Sequence, residues 1–217
     1  MEKKFELTEN YVVNEFGTKL YQIKCTKTFK YAKKGKLGGF IEKEENLSQE
    51  GDAWVYGDAQ VYDTARVSGD ARVSGDARVY GDAQVYGTAR VYGTARVYGT
   101  AQVFDTAQVS GDARVYGTAQ VFGTAQVYGD AQVYGDACLK SDADHCGFDC
   151  FGSSNRHTHA YLTGDNTVEI TCGCFRGSIE EFEKRVKNTH AGTVYENQYN
   201  AIINVIKIKF GLDETSK

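Results

Sequence analysis

Alanine recurs every six residues from Ala53 through Ala143, and no other feature of the chain limits its folding so tightly. Valine follows each alanine by two residues, from Val55 through Val133, and Leu139 closes the series. The unit is Ala-x-Val-[Tyr/Ser/Phe]-[Gly/Asp]-[Asp/Thr], and fifteen successive units run with no residue inserted or lost. Residues two apart in a strand point to the same side, so Ala and Val share an inner face while residues such as Arg90 and Tyr92 point outward. Gly with Asp or Thr then turns a corner, and must do so unaided by proline, which the chain lacks. A strand this short cannot bury its inner face alone. Coiling the chain stacks like strands and buries a continuous column of Ala and Val.

The spacing resembles the hexapeptide-repeat left-handed β-helix, in which an aliphatic residue is followed four positions later by a small one, as Val91 is by Ala95. The resemblance implies a mainly β protein whose residues 51–144 form a triangular left-handed parallel β-helix, three hexads to a turn. Fifteen hexads then make five coils, on the order of 24 Å long at ordinary strand spacing. The glycine that usually follows the aliphatic residue in that family is mostly replaced here by Tyr. A right-handed, bactofilin-like β-helix is the alternative, because periodicity does not report handedness.

Folding the sequence at three hexads per turn sorts the outward side chains into three faces. The first carries Tyr62, Tyr80, Tyr98, Tyr116 and Tyr134 in one column, beside Gln60, Arg78, Arg96, Arg114 and Gln132. The second carries Tyr56, Ser74, Tyr92, Ser110 and Tyr128, beside Trp54, Arg72, Arg90, Gln108 and Gln126. The third carries Ser68, Tyr86, Phe104, Phe122 and Lys140. Tyr and Arg are enriched in binding hot spots, so Tyr62, Tyr80, Tyr98, Tyr116 and Tyr134 with Arg78, Arg96 and Arg114 are the candidate binding residues. The same column also serves to stabilise neighbouring coils by cross-strand packing. Asp58, Asp76, Asp112 and Asp130 stack along a corner and read as solvated turn carboxylates. Ten aspartates against six arginines between Asp52 and Asp136, and a net charge of -4, argue against nucleic acid lying along the helix.

Many hexapeptide proteins are trimeric acyltransferases that bind coenzyme A between subunits and use a histidine as general base. Such chemistry needs a base near neutral pKa within reach of the attacking group. No histidine precedes His145 and no loop interrupts the repeat, so the coils supply none.

The segment 1–50 reads as an N-terminal β cap. Tyr11–Val13 and Lys19–Thr28 alternate as a hairpin would, and an open solenoid end needs cover against edge-to-edge pairing. Seven lysines and no acid lie between Phe16 and Ile41. LGGFIEKEENLSQEGDAWVYGDA resembles the lead-in of uncharacterised β-helix proteins of bacteria and their phages, labelled as transferases or polymer-forming proteins. Residues 145–217 read as a small α+β domain. Tyr161–Thr163 and Thr167–Thr171 form a hairpin about Gly164-Asp165-Asn166, and Ser178 with Glu181 makes a capping box ahead of an apolar stripe of Ile179, Phe182 and Val186. A second helix after Gly192 carries Tyr195, Tyr199, Ile202, Ile203, Ile206 and Phe210 on one face. The stretch CGCFRGSIEEFEKRV resembles a short domain of phage and prophage proteins.

Five of the six cysteines fall between Cys138 and Cys174. No export signal or apolar span is visible, so reduced thiols or metal ligands in a cytoplasmic protein are expected, with no membrane association. Cys146, Cys150, Cys172 and Cys174, with His157 and His159, raise a structural zinc site, although the usual two-residue ligand spacing is absent. Cys172 and Cys174 are expected on one side of a strand. A Cys174–His190 pair would be the alternative, catalytic use of these residues. No cofactor beyond such a zinc is expected.

These features favour a non-enzymatic binding or scaffold protein. The phage resemblance implies a phage-encoded chain in the bacterial cytoplasm that occupies a host protein or signalling nucleotide stoichiometrically, as an inhibitor of host defence would. The alternatives are a coenzyme A-dependent acyltransferase and a self-assembling structural element. A homodimer or homotrimer through a flat face is expected.

Overall fold

The computed structural model describes residues 3–212, which divide into two compact units between Ser141 and Asp142. Three strands open the first unit: β1 (Phe5–Val13), β2 (Lys19–Cys25) and β3 (Leu37–Ile41). Each hexad then contributes one two-residue strand, from β4 (Trp54–Val55) through β18 (Cys138–Leu139). These strands pair in parallel with those three hexads away, as Arg90–Val91 does with Arg72–Val73 and Gln108–Val109. The fifteen strands therefore divide into three sheets, one per face, and the chain is a parallel β-solenoid. Every repeat alanine from Ala53 to Ala137 and every repeat valine from Val55 to Val133 is buried. Removal of each Val side chain from water contributes roughly 1.5 kcal/mol or more, which the short strands need.

The corners explain the fifth and sixth letters of the hexad. Gly93 has φ +71, and a Cβ there would stand 3.0 Å from the Gly111 amide nitrogen of the next coil. Where Asp replaces Gly, at Asp63 and Asp105, the backbone keeps φ 57, since aspartate tolerates the left-handed region better than most side chains. The corner peptides bond head to tail along the stack: Asp76 N–H donates to Gly93 O at 2.8 Å, and Thr94 N–H to Gly111 O at 3.0 Å. The Thr94 hydroxyl donates again to Gly111 O at 2.9 Å and to Asp112 Oδ1 at 2.6 Å. Several corner carboxylates are thus bonded to neighbouring threonines as well as exposed.

The N-terminal strands do more than cover an end. β1 and β2 form the expected antiparallel hairpin, but β1 begins at Phe5 and β2 stops at Cys25. β3 pairs antiparallel with β2 and parallel with Gln60–Val61, so it joins the hairpin to the first face. Leu47 bridges Val67 in parallel on the third face. Ile41 and Leu47 therefore start a sixth, partial course below the five coils. Its step to the next course, Ile41 to Val61 and Leu47 to Val67, is longer than three hexads, and the excess falls between Leu47 and Val55.

The carbonyls of the first full coil find donors in this segment. Phe40, Glu42 and Ser48 amides donate to Ala59, Val61 and Val67. The Asn46 side chain donates to Asp63 O and Ala65 O. Lys4, 1% exposed, sends its ammonium to Ala53 O at 3.0 Å, Gly51 O at 3.3 Å and Glu50 O at 3.4 Å. Buried backbone acceptors demand such partners.

The second unit holds a four-stranded antiparallel sheet in the order β19 (His145–Phe151), β20 (Arg156–Leu162), β21 (Val168–Cys172) and β22 (Phe175–Gly177). The expected hairpin is its inner pair, and the two outer strands correct the simpler reading. The helices α1 (Ile179–His190) and α2 (Val194–Lys209) bury the anticipated stripes. Ile179, Phe182, Val186, Tyr199, Ile202, Ile203 and Ile206 pack with Ala160, Ile170 and Cys172 of the sheet. The Ser178–Glu181 capping box is formed, with Ser178 N–H to Glu181 Oε2 at 2.9 Å and Glu181 N–H to Ser178 Oγ at 3.3 Å. Among the described residues, no helix is long and apolar enough to cross a membrane.

Candidate functional site

The five tyrosines of the first face lie in one column. Their ring centroids are 4.9, 4.9, 4.8 and 4.7 Å apart from Tyr62 to Tyr134, with planes within 7° of parallel. Identical side chains one full turn apart repeat at the strand spacing, which falls inside the offset-stacking range of about 4.5–7 Å. The rings use their faces on one another. Tyr80 and Tyr98 are stacked on both sides, so the face presents ring edges and hydroxyls, not open aromatic planes. Burial pushes the phenols of Tyr62, Tyr80 and Tyr98 above their ordinary pKa, so groups already neutral at physiological pH stay neutral well into the alkaline range. Arg78 is held by Glu15 of the β1–β2 turn at 2.9 Å. Arg96 is half-buried and Arg114 exposed beside the column.

The third face repeats the arrangement with Tyr86, Phe104 and Phe122, at centroid distances of 4.9 Å. The second face does not. Ser74 and Ser110 interrupt its tyrosines, and Tyr92 and Tyr128 are 38% and 66% exposed. A cavity of about 630 Å³ opens there, lined by Tyr56, Arg72, Ser74, Arg90, Tyr92 and Gln108. The sequence pattern singles out the unbroken column. The signal for the second face is the alternation of Tyr and Ser from turn to turn, which matters only once the coil length is fixed.

In the second unit the thiols are dispersed between core and surface. Cys146 is half-buried on β19, and burial pushes its thiol up to about 11. Cys172 is buried on β21, accepts from Thr158 Oγ1 at 3.3 Å and lies 3.8 Å from the Tyr199 hydroxyl. Cys150 and Cys174 are exposed. The expectation that Cys172 and Cys174 share one side of a strand is corrected: β21 ends at Cys172 and Gly173, at φ 60, turns the chain. The histidines have other neighbours, with His157 Nδ1 2.5 Å from Asp149 Oδ1 and His159 Nε2 3.0 Å from His145 Nδ1. Among the described residues, no group of three or more His, Cys, Asp or Glu side chains is gathered for a metal ion. Cys174 and His190 line one cleft between the sheet and α1, together with Arg156, Lys184, Arg185 and Tyr199.

The coils and their corner geometry define a repeat β-solenoid protein. Residues 59–75, 65–81, 71–87 and 107–123 each match the family model described as the YdcK beta solenoid repeat. No curated protein gives a significant match to the chain.

Proposed function

We propose that this chain is a non-enzymatic binding scaffold, coiled in the left-handed sense of the hexapeptide proteins it resembles, whose first face grips a protein partner stoichiometrically. The observation that carries the reading is the Tyr62–Tyr134 column with its row of arginines. Stacked rings are already ordered, so binding there loses little side-chain freedom. Neutral phenol donors at strand spacing beside Arg96 and Arg114 suit a partner surface rich in carbonyl and carboxylate acceptors. The resemblance of CGCFRGSIEEFEKRV to phage and prophage domains supports a phage-encoded chain acting on a bacterial host protein in the cytoplasm. The absence of histidine from the whole repeat supports binding over coenzyme A-dependent acyl transfer.

Titration of the purified full chain against candidate host proteins tests the reading. A saturable complex of fixed stoichiometry is expected, weakened at least tenfold by the double change Tyr98→Ser and Arg96→Gln. Turnover of acetyl-coenzyme A by the same preparation would replace the scaffold with an acyltransferase. Sedimentation over a range of concentrations distinguishes a closed dimer or trimer from an open filament.

A further inference from the structure

We infer that the cavity on the second face is a slot for one planar heteroaromatic ring bearing a phosphate, the chemistry of a nucleotide. The site lies on a different face from the proposed partner surface and takes a different class of ligand.

The slot is a missing rung. On the first face each coil supplies a ring 4.7–4.9 Å from the next. On the second, Ser74 stands where a ring would lie between Tyr56 and Tyr92, leaving room for one ring between two others. Tyr92 directs its hydroxyl to Gln108 of the next coil, as Tyr86 does to Gln102 within a stacked column. The Tyr92 ring therefore takes the ladder orientation, with a face turned to the gap. A ring seated at the Ser74 level would stack on Tyr92 at an ordinary aromatic distance, with Tyr56, whose hydroxyl donates to Tyr31 O at 3.4 Å, bounding its other side.

The charge around the slot is cationic. Arg72 and Arg90 line it, and Arg72 Nε is buried with no hydrogen-bond partner. A buried donor left unused is costly, and an anionic oxygen would satisfy it. Lys36 Nζ stands 5.1 Å from the Tyr56 ring centroid, and the Arg72 guanidinium lies 4.8 Å from that of Tyr31. Both Lys36 and Tyr31 belong to the lysine-rich stretch between Phe16 and Ile41. Of the nearby carboxylates, Asp70 is paired with Lys30 at 3.5 Å, while Asp58 and Asp76 sit at the corner beyond Tyr56 and Ser74. The phosphate accordingly belongs on the arginine side. The second gap, at Ser110 between Tyr92 and Tyr128, is flanked by Gln108 and Gln126 and lies farther along the stack from the lysines. It provides an internal control.

Calorimetric titration of the full chain with AMP, GMP, CMP and UMP tests the inference. At least one should bind one to one with a Kd below about 1 mM. Its nucleoside and inorganic phosphate, offered separately, should each bind at least about tenfold more weakly. Ser74→Tyr, which completes the column, should abolish binding, while Ser110→Tyr should leave it within about twofold. Arg72→Gln places in the slot a residue found at the same hexad position elsewhere, and should weaken binding by about tenfold or more without loss of melting temperature. The inference is overturned if none of the four binds, or if Ser74→Tyr and Ser110→Tyr act alike. It also fails if Ser74→Tyr abolishes self-association while no nucleotide binds, since the gap then receives a side chain of a second copy. Failure here with Tyr98 and Arg96 still needed for a protein complex leaves the partner-face reading intact, and the reverse result leaves the slot intact.

Discussion

At each corner of the solenoid the backbone is left-handed, and one residue there has little freedom of identity. Gly93 combines φ +71 with a neighbouring amide nitrogen 3.0 Å from where a Cβ would be. Gly93→Ala should therefore lower stability by about 1–3 kcal/mol, read as a lower urea midpoint. Gly93→Asp should cost less, because Asp63 and Asp105 already hold that conformation at φ 57. At this scale the inner residues are fully legible in the sequence, since Ala and Val alternate with outward residues at an unbroken six-residue period. The outward residues are legible as columns, but their exposure is not. Whether a tyrosine shows its face or its edge depends on its neighbour three hexads away, as Tyr98 and Tyr92 demonstrate.

The N-terminal course and the outer strands of the second unit mark where elements become hard to read. Ile41 and Leu47 keep the six-residue spacing but stand two residues out of phase with the repeat, and Gly39 and Glu45 stand where its alanines would be, which hides the extra course. β19, HCGFDCF, carries glycine and aspartate in place of an alternating apolar run, and β22 is only three residues long. The lid that the N-terminal segment forms has a testable pH signature. Burial lowers the Lys4 ammonium from its ordinary value of 10.5 to about 8, with Asp52 acting in the opposite sense. Between those values the unfolded chain keeps a proton that the folded chain has released. The Lys4 contribution to stability should therefore rise as pH increases from about 8 to 10.5, and the slope should vanish in Lys4→Met. Denaturant midpoints collected across that range, for both proteins, check the difference.

Across the first unit, each coil is tied to the coil before it and the coil after it, as in other stacked-repeat proteins. Duplicating Ala83–Thr100, three whole hexads, adds one coil whose corners, core and three columns all meet their counterparts. That longer chain should melt cooperatively at or above the temperature of the parent. Duplicating only Ala89–Thr94 keeps every Ala and Val in register but moves all later residues round by one face, so Tyr98, Tyr116 and Tyr134 stay stacked on one another while Tyr98 leaves Tyr80 for Tyr86. The shorter insertion should melt close to the parent, but its first-face column is cut between Tyr80 and Tyr98 and its partner complex should weaken. Circular dichroism melts of the two variants beside the parent decide the comparison.

The exact six-residue phase thus makes length a stepped quantity. Slippage or recombination between near-identical hexads would change the chain one hexad at a time, but only every third step restores all three columns. Such a lineage is a ruler whose usable marks stand three hexads apart, and its surface patterns survive growth or shortening only at those marks.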